Sequence, residues 1–283
     1  MSDRALDLRP DELRLRPGPD GAVSVDPRRA GWRYLSFRVA NVTAPIRVGG
    51  EGIETAVIIL GGGRARVGDL DLPGRPSVWA GLPSAAYLPP GVRATVAPVG
   101  QFVTVAVANA PASGRETVDG PVRIGPEEIV VEVRGAGGAT RQINHIITPD
   151  FPADRLEVVE VYTPAGNWSS WPPHKHDTDD MPNEAVLEEI YHYRFRRPEG
   201  WGLQRLYRRD GSRDASWAVQ DGEMVLVTDG YHPFAATPGD DAYYLNALAG
   251  DRRTMACSYD PDLDWVREGW AGMEKDPRVP LVR

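Results

Sequence analysis

The segment LEEIYHYRF, residues 187–195, alternates two kinds of side chain. Successive side chains of an extended strand point to opposite sides, so Glu189, Tyr191, Tyr193 and Phe195 share one face and Glu188, Ile190, His192 and Arg194 the other. A carboxylate among aromatic rings describes the interior of a ligand-holding barrel, because aromatic walls exclude water while phenols still donate hydrogen bonds. The mixed face suits a surface or a contact between domains. Working outward, short runs rich in Val, Ile and Tyr recur at 32–39, 55–60, 102–108, 128–133, 156–162, 203–208, 223–228 and 242–248. The 30 Gly and 26 Pro are spread between them as turn punctuation, not gathered in a linker. Long helical periodicities are few. Regularly spaced strands with turns between them predict an all-β chain, a sandwich or barrel.

A weak internal repeat suggests two similar halves. Leu88-Pro89-Pro90-Gly91-Val92-Arg93-Ala94 can be laid on Val227-Thr228-Asp229-Gly230-Tyr231-His232-Pro233, which sets Arg93 where His232 stands. Glu54 followed by TAVIIL likewise matches Glu189 followed by IYHYRF, yet nothing before Glu54 supplies a His-x-His pair. The first half is therefore expected to share the fold without a complete metal site. The glycine cluster GAGGAT, residues 135–140, marks the expected boundary and divides the chain into 1–138 and 139–283.

The 283 residues, 41% of them hydrophobic, suffice for one large β domain or two smaller ones with their own cores. A net charge of -8 argues against nucleic acid as a partner, since phosphate binding needs clustered Lys and Arg. A small anion can still be held by a local cationic pocket. Cys257 is the single cysteine, which excludes an intrachain disulfide, and it reads as a small buried hydrophobe. The stretch MSDRALDLRP has no apolar core of signal-peptide length, and runs such as TAVIIL are too short to span a bilayer. These features place the chain in the cytoplasm with no membrane association, and a homo-oligomer is compatible with them.

Five histidines occur, at 145, 174, 176, 192 and 232, and His174-Lys175-His176 follows directly on Pro172-Pro173. On a strand, residues i and i+2 aim both imidazoles at one point while Lys175 turns away. Imidazoles with one carboxylate suit a divalent metal that keeps open positions for water or substrate. The competing reading is a solvated loop of two histidines among charges. Alternation favours Glu189 over Glu188 as the carboxylate. The turn Asp229-Gly230-Tyr231-His232-Pro233 after a strand can return His232 to the same interior. His192 falls on the face opposite Glu189, and His145 in RQINHII is remote from the pair, so both read as structural.

A His-x-His pair, a later Glu and a final His after a glycine turn resemble the metal-ligand pattern of cupins, here with an inserted acidic loop TDDMPNEA between the second His and the Glu. The strings EVYTPAGNWSSWPPHKHD, LEEIYHYRF, GYHPFAATPG and YYLNALAG are similar to the 5-deoxy-glucuronate isomerases of bacterial myo-inositol catabolism. RVGGEGIETAVIILGG, LPSAAYLPPG and VEVRGAGGATRQINHII extend the resemblance over most of the chain. It departs at Pro238-Gly239-Asp240, where an aromatic is expected after the glycine. The resemblance implies two tandem cupin domains of jelly-roll type, only the second with a complete site. It also implies conversion of 5-deoxy-D-glucuronate to 2-deoxy-5-keto-D-gluconate. The related pectin-pathway isomerases carry a similar site of three His and one Glu, which supports His174, His176, Glu189 and His232 by analogy. The ion is zinc, manganese, iron or nickel, since the same ligands accept all four.

An aldose-ketose shift needs a proton shuttle, and Tyr191, Tyr193 or Glu189 are the candidates; wall packing is the alternative role for the tyrosines. A phenol with an ordinary pKa near ~10 is a poor base at neutral pH. A sugar-acid substrate also needs a cation, for which Arg205 in GLQRLYRR is the first candidate and Gln204 a neighbouring donor. Alternation puts these two on opposite faces, and a solvated surface arginine is the other reading of Arg205. Residues 167–171 are expected to edge the pocket or form a rigid turn. Two other functions fit a cupin: an iron dioxygenase with the same ligands, and a sugar-binding module that needs no metal.

Overall fold

The computed structural model describes residues 8–283; residues 1–7, with which the first expected domain and the MSDRALDLRP stretch begin, lie outside them. Strands dominate the described residues, as the punctuated sequence predicts, and the helices are single turns apart from the nine-residue 3-10 helix Asp264–Gly272. In the first half, Ile53–Val67 and Arg93–Pro111 pair antiparallel and carry Ser36–Val42 on one side and Ala85–Leu88 on the other. In the second half, Met224–Val227, Glu188–Phe195, Ala242–Ala249, Leu156–Thr163 and Arg141–Ile147 form the centre of a seven-stranded sheet. Its edges are Arg14–Leu15 and Val130–Arg134, so hydrogen bonding of this sheet runs across residues 138 and 139. A four-stranded sheet of Trp168–Ser169, Phe234–Ala236, Trp201–Tyr207 and Asp214–Gln220 faces it.

Period-two alternation allots the faces. In Ile53–Val67, Val57 and Ile59 join Leu88, Val103, Val105 and Val107 in a core private to the first half. Ala56, Ile58 and Leu60 turn the other way into a larger core shared with Leu156, Ile190 and Leu245 of the second half. The two sheets are thus packed back to back, with both faces of their central strands buried.

Two glutamates fasten this contact reciprocally. Glu188 of the second half accepts backbone N–H groups of Arg33, Tyr34 and Leu35 at 2.6, 2.9 and 2.8 Å. Glu54 of the first half accepts those of Asp154, Arg155 and Leu156 at 2.8, 2.6 and 2.8 Å, and the Tyr87 hydroxyl at 2.7 Å. Charge-assisted bonds to three successive amides satisfy a buried carboxylate that would otherwise be costly to desolvate.

The pairing also corrects the repeat register. Thr55 pairs with Leu88 and Asn109, as Glu189 pairs with Val227 and Leu248. Leu88 therefore matches Val227, which keeps Arg93 opposite His232, but Glu54 matches Glu188 and Thr55 matches Glu189. A shift of one residue turns a side chain to the other face, so Glu54 belongs to the contact between halves and not to a barrel interior.

His192 lies on the same shared face, 1% exposed, with neither ring nitrogen hydrogen-bonded among the described residues. Burial, reinforced by Arg194, pushes its imidazole down to about 3. The unfolded chain takes a proton on this ring near pH ~6.5 while the folded chain refuses it, so stability is present above that pH and lost as the pH falls toward 3. By pH 4 the loss amounts to about 3 kcal/mol from this residue. Replacing it with leucine should flatten the fall in denaturant stability between pH 6.5 and 4; an unchanged slope in H192L would refute this account.

Candidate metal centre

His174 and Lys175 form a two-residue strand paired with Ser258–Tyr259. His232 arrives from the turn at Gly230, whose φ is 80° and where a Cβ would sit 2.6 Å from the Tyr207 carbonyl oxygen, so only glycine fits. One nitrogen from each of His174, His176 and His232 lies within 4.8 Å of the others, a group able to hold a metal ion. Glu189 brings its Oε2 to 2.9 Å from His176 Nε2 and 3.4 Å from His232 Nε2.

Backbone carbonyls fix the rings. His176 Nδ1 lies 2.9 Å from the Leu187 oxygen and His232 Nδ1 2.9 Å from the Gly230 oxygen, which makes Nδ1 the donor in each and turns Nε2 inward. His232 Nε2 is buried with no hydrogen-bond partner, a lone pair aimed at the common point. A bound cation would satisfy this orphaned nitrogen, and three imidazoles with one carboxylate are a donor set that divalent metals accept.

Electrostatics agree. Burial pushes His232 down to about 4 and His174 well below its ordinary value, the latter helped by His232, His176, Arg141 and Arg134. Burial also opposes charge on His176, but the hydrogen bond and charge of Glu189 outweigh it and leave its pKa raised.

A cavity opens beside these ligands, and Tyr191, Ser170 and Tyr244 line it. Ser170 Oγ lies 2.8 Å from the Tyr191 hydroxyl and 3.5 Å from that of Tyr244, and Ser170 adopts a left-handed φ of 48°, unusual for a residue with a side chain. Tyr191 keeps its proton, since burial and then the Glu189 charge push its pKa well above 10.

Some expected residues are placed elsewhere. Tyr193 sits behind the cavity, its hydroxyl donating to Gln204 Oε1 at 2.6 Å while its ring stacks on Phe234. Gln204 takes the inward place on its strand and donates to the His232 carbonyl oxygen at 2.9 Å, so it positions a ligand. Arg205 is correspondingly turned out: its side chain is 43% exposed, forked onto Asp214 by two bonds of 2.8 Å and laid over Tyr207. Lys175 turns away to Asp177 and Glu184. His145 lies at the cavity wall, held by Glu132 at 2.9 Å. Cys257 also faces the cavity, and burial raises its thiol pKa. Arg134 and Arg141 line it as well and were not among the expected residues. Alternation in Arg141–Ile147 would have put Arg141, Ile143 and His145 on one face, had that run been read as a strand.

Back-to-back jelly-roll sheets with a histidine cluster inside one of them define a cupin enzyme. The KduI/IolB family profile matches residues 12–266, and the chain belongs to that family. A 5-deoxy-glucuronate isomerase of Geobacillus kaustophilus (strain HTA426) is 39% identical over 89% of this chain and 93% of its own length. One from Listeria monocytogenes serovar 1/2a is 32% identical over 92% and 97%. The crystal structure of an IolB-like protein from Salmonella typhimurium LT2 superposes with a TM-score of 0.82 at 34% identity, covering 89% of this chain and 98% of that one. A Lactobacillus farciminis oxalate decarboxylase shares only the fold, with a TM-score of 0.58 at 10% identity over 87% and 88% of the two chains. The chain is accordingly an isomerase on a cupin fold. No helix among the described residues is long and apolar enough to cross a membrane.

The two faces of Glu188–Phe195 predict opposite outcomes for adjacent substitutions. Glu189→Gln should lose bound metal and activity with little change in thermal stability, whereas Glu188→Gln should keep the metal and lose about 2–4 kcal/mol of stability. Metal analysis and denaturant unfolding of both variants check this, and the reverse ranking would overturn the assignment of faces.

Proposed function

We propose that this chain is a divalent-metal-dependent aldose-ketose isomerase converting 5-deoxy-D-glucuronate to 2-deoxy-5-keto-D-gluconate, a cytoplasmic step of myo-inositol catabolism. It takes a small sugar acid and neither nucleic acid nor membrane. The metal belongs to the 139–283 part of the chain, with 1–138 as a cupin-like partner lacking a complete site. The convergence of His174, His176, His232 and Glu189 on one point beside a hydroxyl-lined cavity carries this reading.

The reaction moves a carbonyl to the neighbouring carbon, so a proton leaves that carbon, an enediolate forms, and a proton returns one carbon over. A divalent ion held by the three imidazoles and Glu189 supplies Lewis acidity for the developing oxyanion. Glu189 is the only carboxylate among the described residues lining the cavity, and it holds the travelling proton on its carboxylate. Tyr191, kept protonated, gives its proton to the old carbonyl oxygen, and the proton released by the neighbouring substrate hydroxyl as it becomes the new carbonyl returns to Tyr191 through Ser170 and Tyr244. Val159 and Val161 make part of the wall apolar, which limits water around the enediolate.

Incubation with 5-deoxy-D-glucuronate under strict anaerobiosis, followed by NMR, should show ketose formation, with solvent deuterium entering in D2O. Turnover that stops without oxygen would indicate a dioxygenase, and tight sugar binding without turnover a binding module. Tyr191→Phe should lower kcat roughly 100-fold with metal content unchanged.

A further inference from the structure

Arg141 is 6% exposed and lines the cavity. Its Nη1 donates to the Ala139 and Trp171 carbonyl oxygens at 3.1 and 3.3 Å, and its guanidinium lies 5.8 Å from the Trp270 ring. Its Nε and Nη2 make no hydrogen bond, and no carboxylate pairs with it, among the described residues. Glu132, an acid whose charge acts on Arg141, is itself taken: it is forked by Arg134 Nε and Nη2 at 2.8 Å each and also holds His145. Buried cations are ordinarily paired, because desolvation of a charge is compensated only by an opposite charge or a full set of acceptors. The other buried arginines among the described residues keep the rule: Arg75 is matched by Glu160, Arg155 by Asp251 and Arg213 by Asp229. Arg141 departs from the rule at the wall of the cavity that holds the metal ligands.

We infer that Arg141 is the anchor for the carboxylate of the sugar acid, its unused Nε and Nη2 edge receiving both carboxylate oxygens while the carbonyl end of the same molecule lies at His174, His176, His232 and Glu189. A guanidinium offers two parallel donors that match a carboxylate, and tying down its remaining nitrogen with backbone carbonyls fixes the fork before substrate arrives. Arg134 adds positive potential from the same wall. The anion of the substrate supplies the charge that the fold withholds, which makes the site selective for uronates over neutral sugars in a protein of net charge -8. This inference rests on the isomerase reading above and specifies its substrate class.

The test compares wild type, R141M, R141K and R205M on 5-deoxy-D-glucuronate and on the analogue with a neutral hydroxymethyl group in place of the carboxylate. R141M should lower kcat/KM for the uronate roughly 30- to 1,000-fold, mostly through KM, while turnover of the neutral analogue changes less than about 3-fold and metal content stays constant. R141K, which keeps the charge but not the fork, should fall between them; it carries the test if R141M does not fold. R205M, altering an exposed arginine already paired with Asp214, should match wild type. Equal losses on both compounds, or unaltered uronate turnover in R141M or R141K, would overturn the assignment. If the wild type isomerises neither compound, the functional reading fails, and calorimetric binding of D-glucuronate against D-glucose still decides the anchor. Weaker glucuronate binding in R141M upholds it, and equal binding removes it.

Discussion

A strand buried on both faces has no side chain to spare. In Glu188–Phe195 every second residue belongs to the barrel interior and every other one to the contact with the first half. Glu188 and Glu189 are neighbours in sequence with opposite duties: one accepts three backbone amides of the other half, the other faces two imidazoles. Because one residue of slip would exchange the two faces, the register of this strand fixes both the packing of the halves and the place of Glu189 beside the histidines.

The corresponding layer of the first half keeps the strand pairing with a different set of side chains. Thr55, in the place of Glu189, donates to Asn109 Oδ1 at 2.8 Å, and Asn109 donates to Ser36 Oγ at 3.1 Å. The layer closes on itself and presents no inward carboxylate. Arg93, in the place of His232, is exposed. In the second half the same layer reads Glu157, Leu248 and Glu189 across the pairing, and it leaves Glu189 to the histidines.

Much of this was legible in the sequence because period two is a strong constraint. The faces of residues 187–195, the inward pair His174 and His176 and the outward Lys175 follow from it, whereas for Gln204 and Arg205 alternation says only that they face opposite ways, and the expected Arg205 is the one turned out. What escaped depended on which strands pair and how deep each side chain lies. The GAGGAT cluster has the composition of a linker, yet it is the turn of a hairpin whose arms, Val130–Arg134 and Arg141–Ile147, bring Arg134 and Arg141 to the cavity wall. Tyr193 shares a face with Tyr191 but lies one layer deeper, a depth that alternation does not encode. The match of Glu54 to Glu189 was off by one because local similarity of a Glu followed by apolar residues says nothing of which side that Glu faces.

The reciprocal glutamates carry an implication about ancestry and symmetry. Glu54 reaches from the first half to the amides that open Leu156–Thr163, and Glu188 reaches from the second half to the amides that precede Ser36–Val42. Residue i of one unit meets region j of the other, and j of the first meets i of the second. That self-complementary exchange is the isologous pattern made by two identical subunits about a twofold axis. The single polypeptide carries within it the interface of a homodimer, with a pseudo-twofold through the shared core. Among the described residues, the candidate metal ligands lie on one side of that interface only.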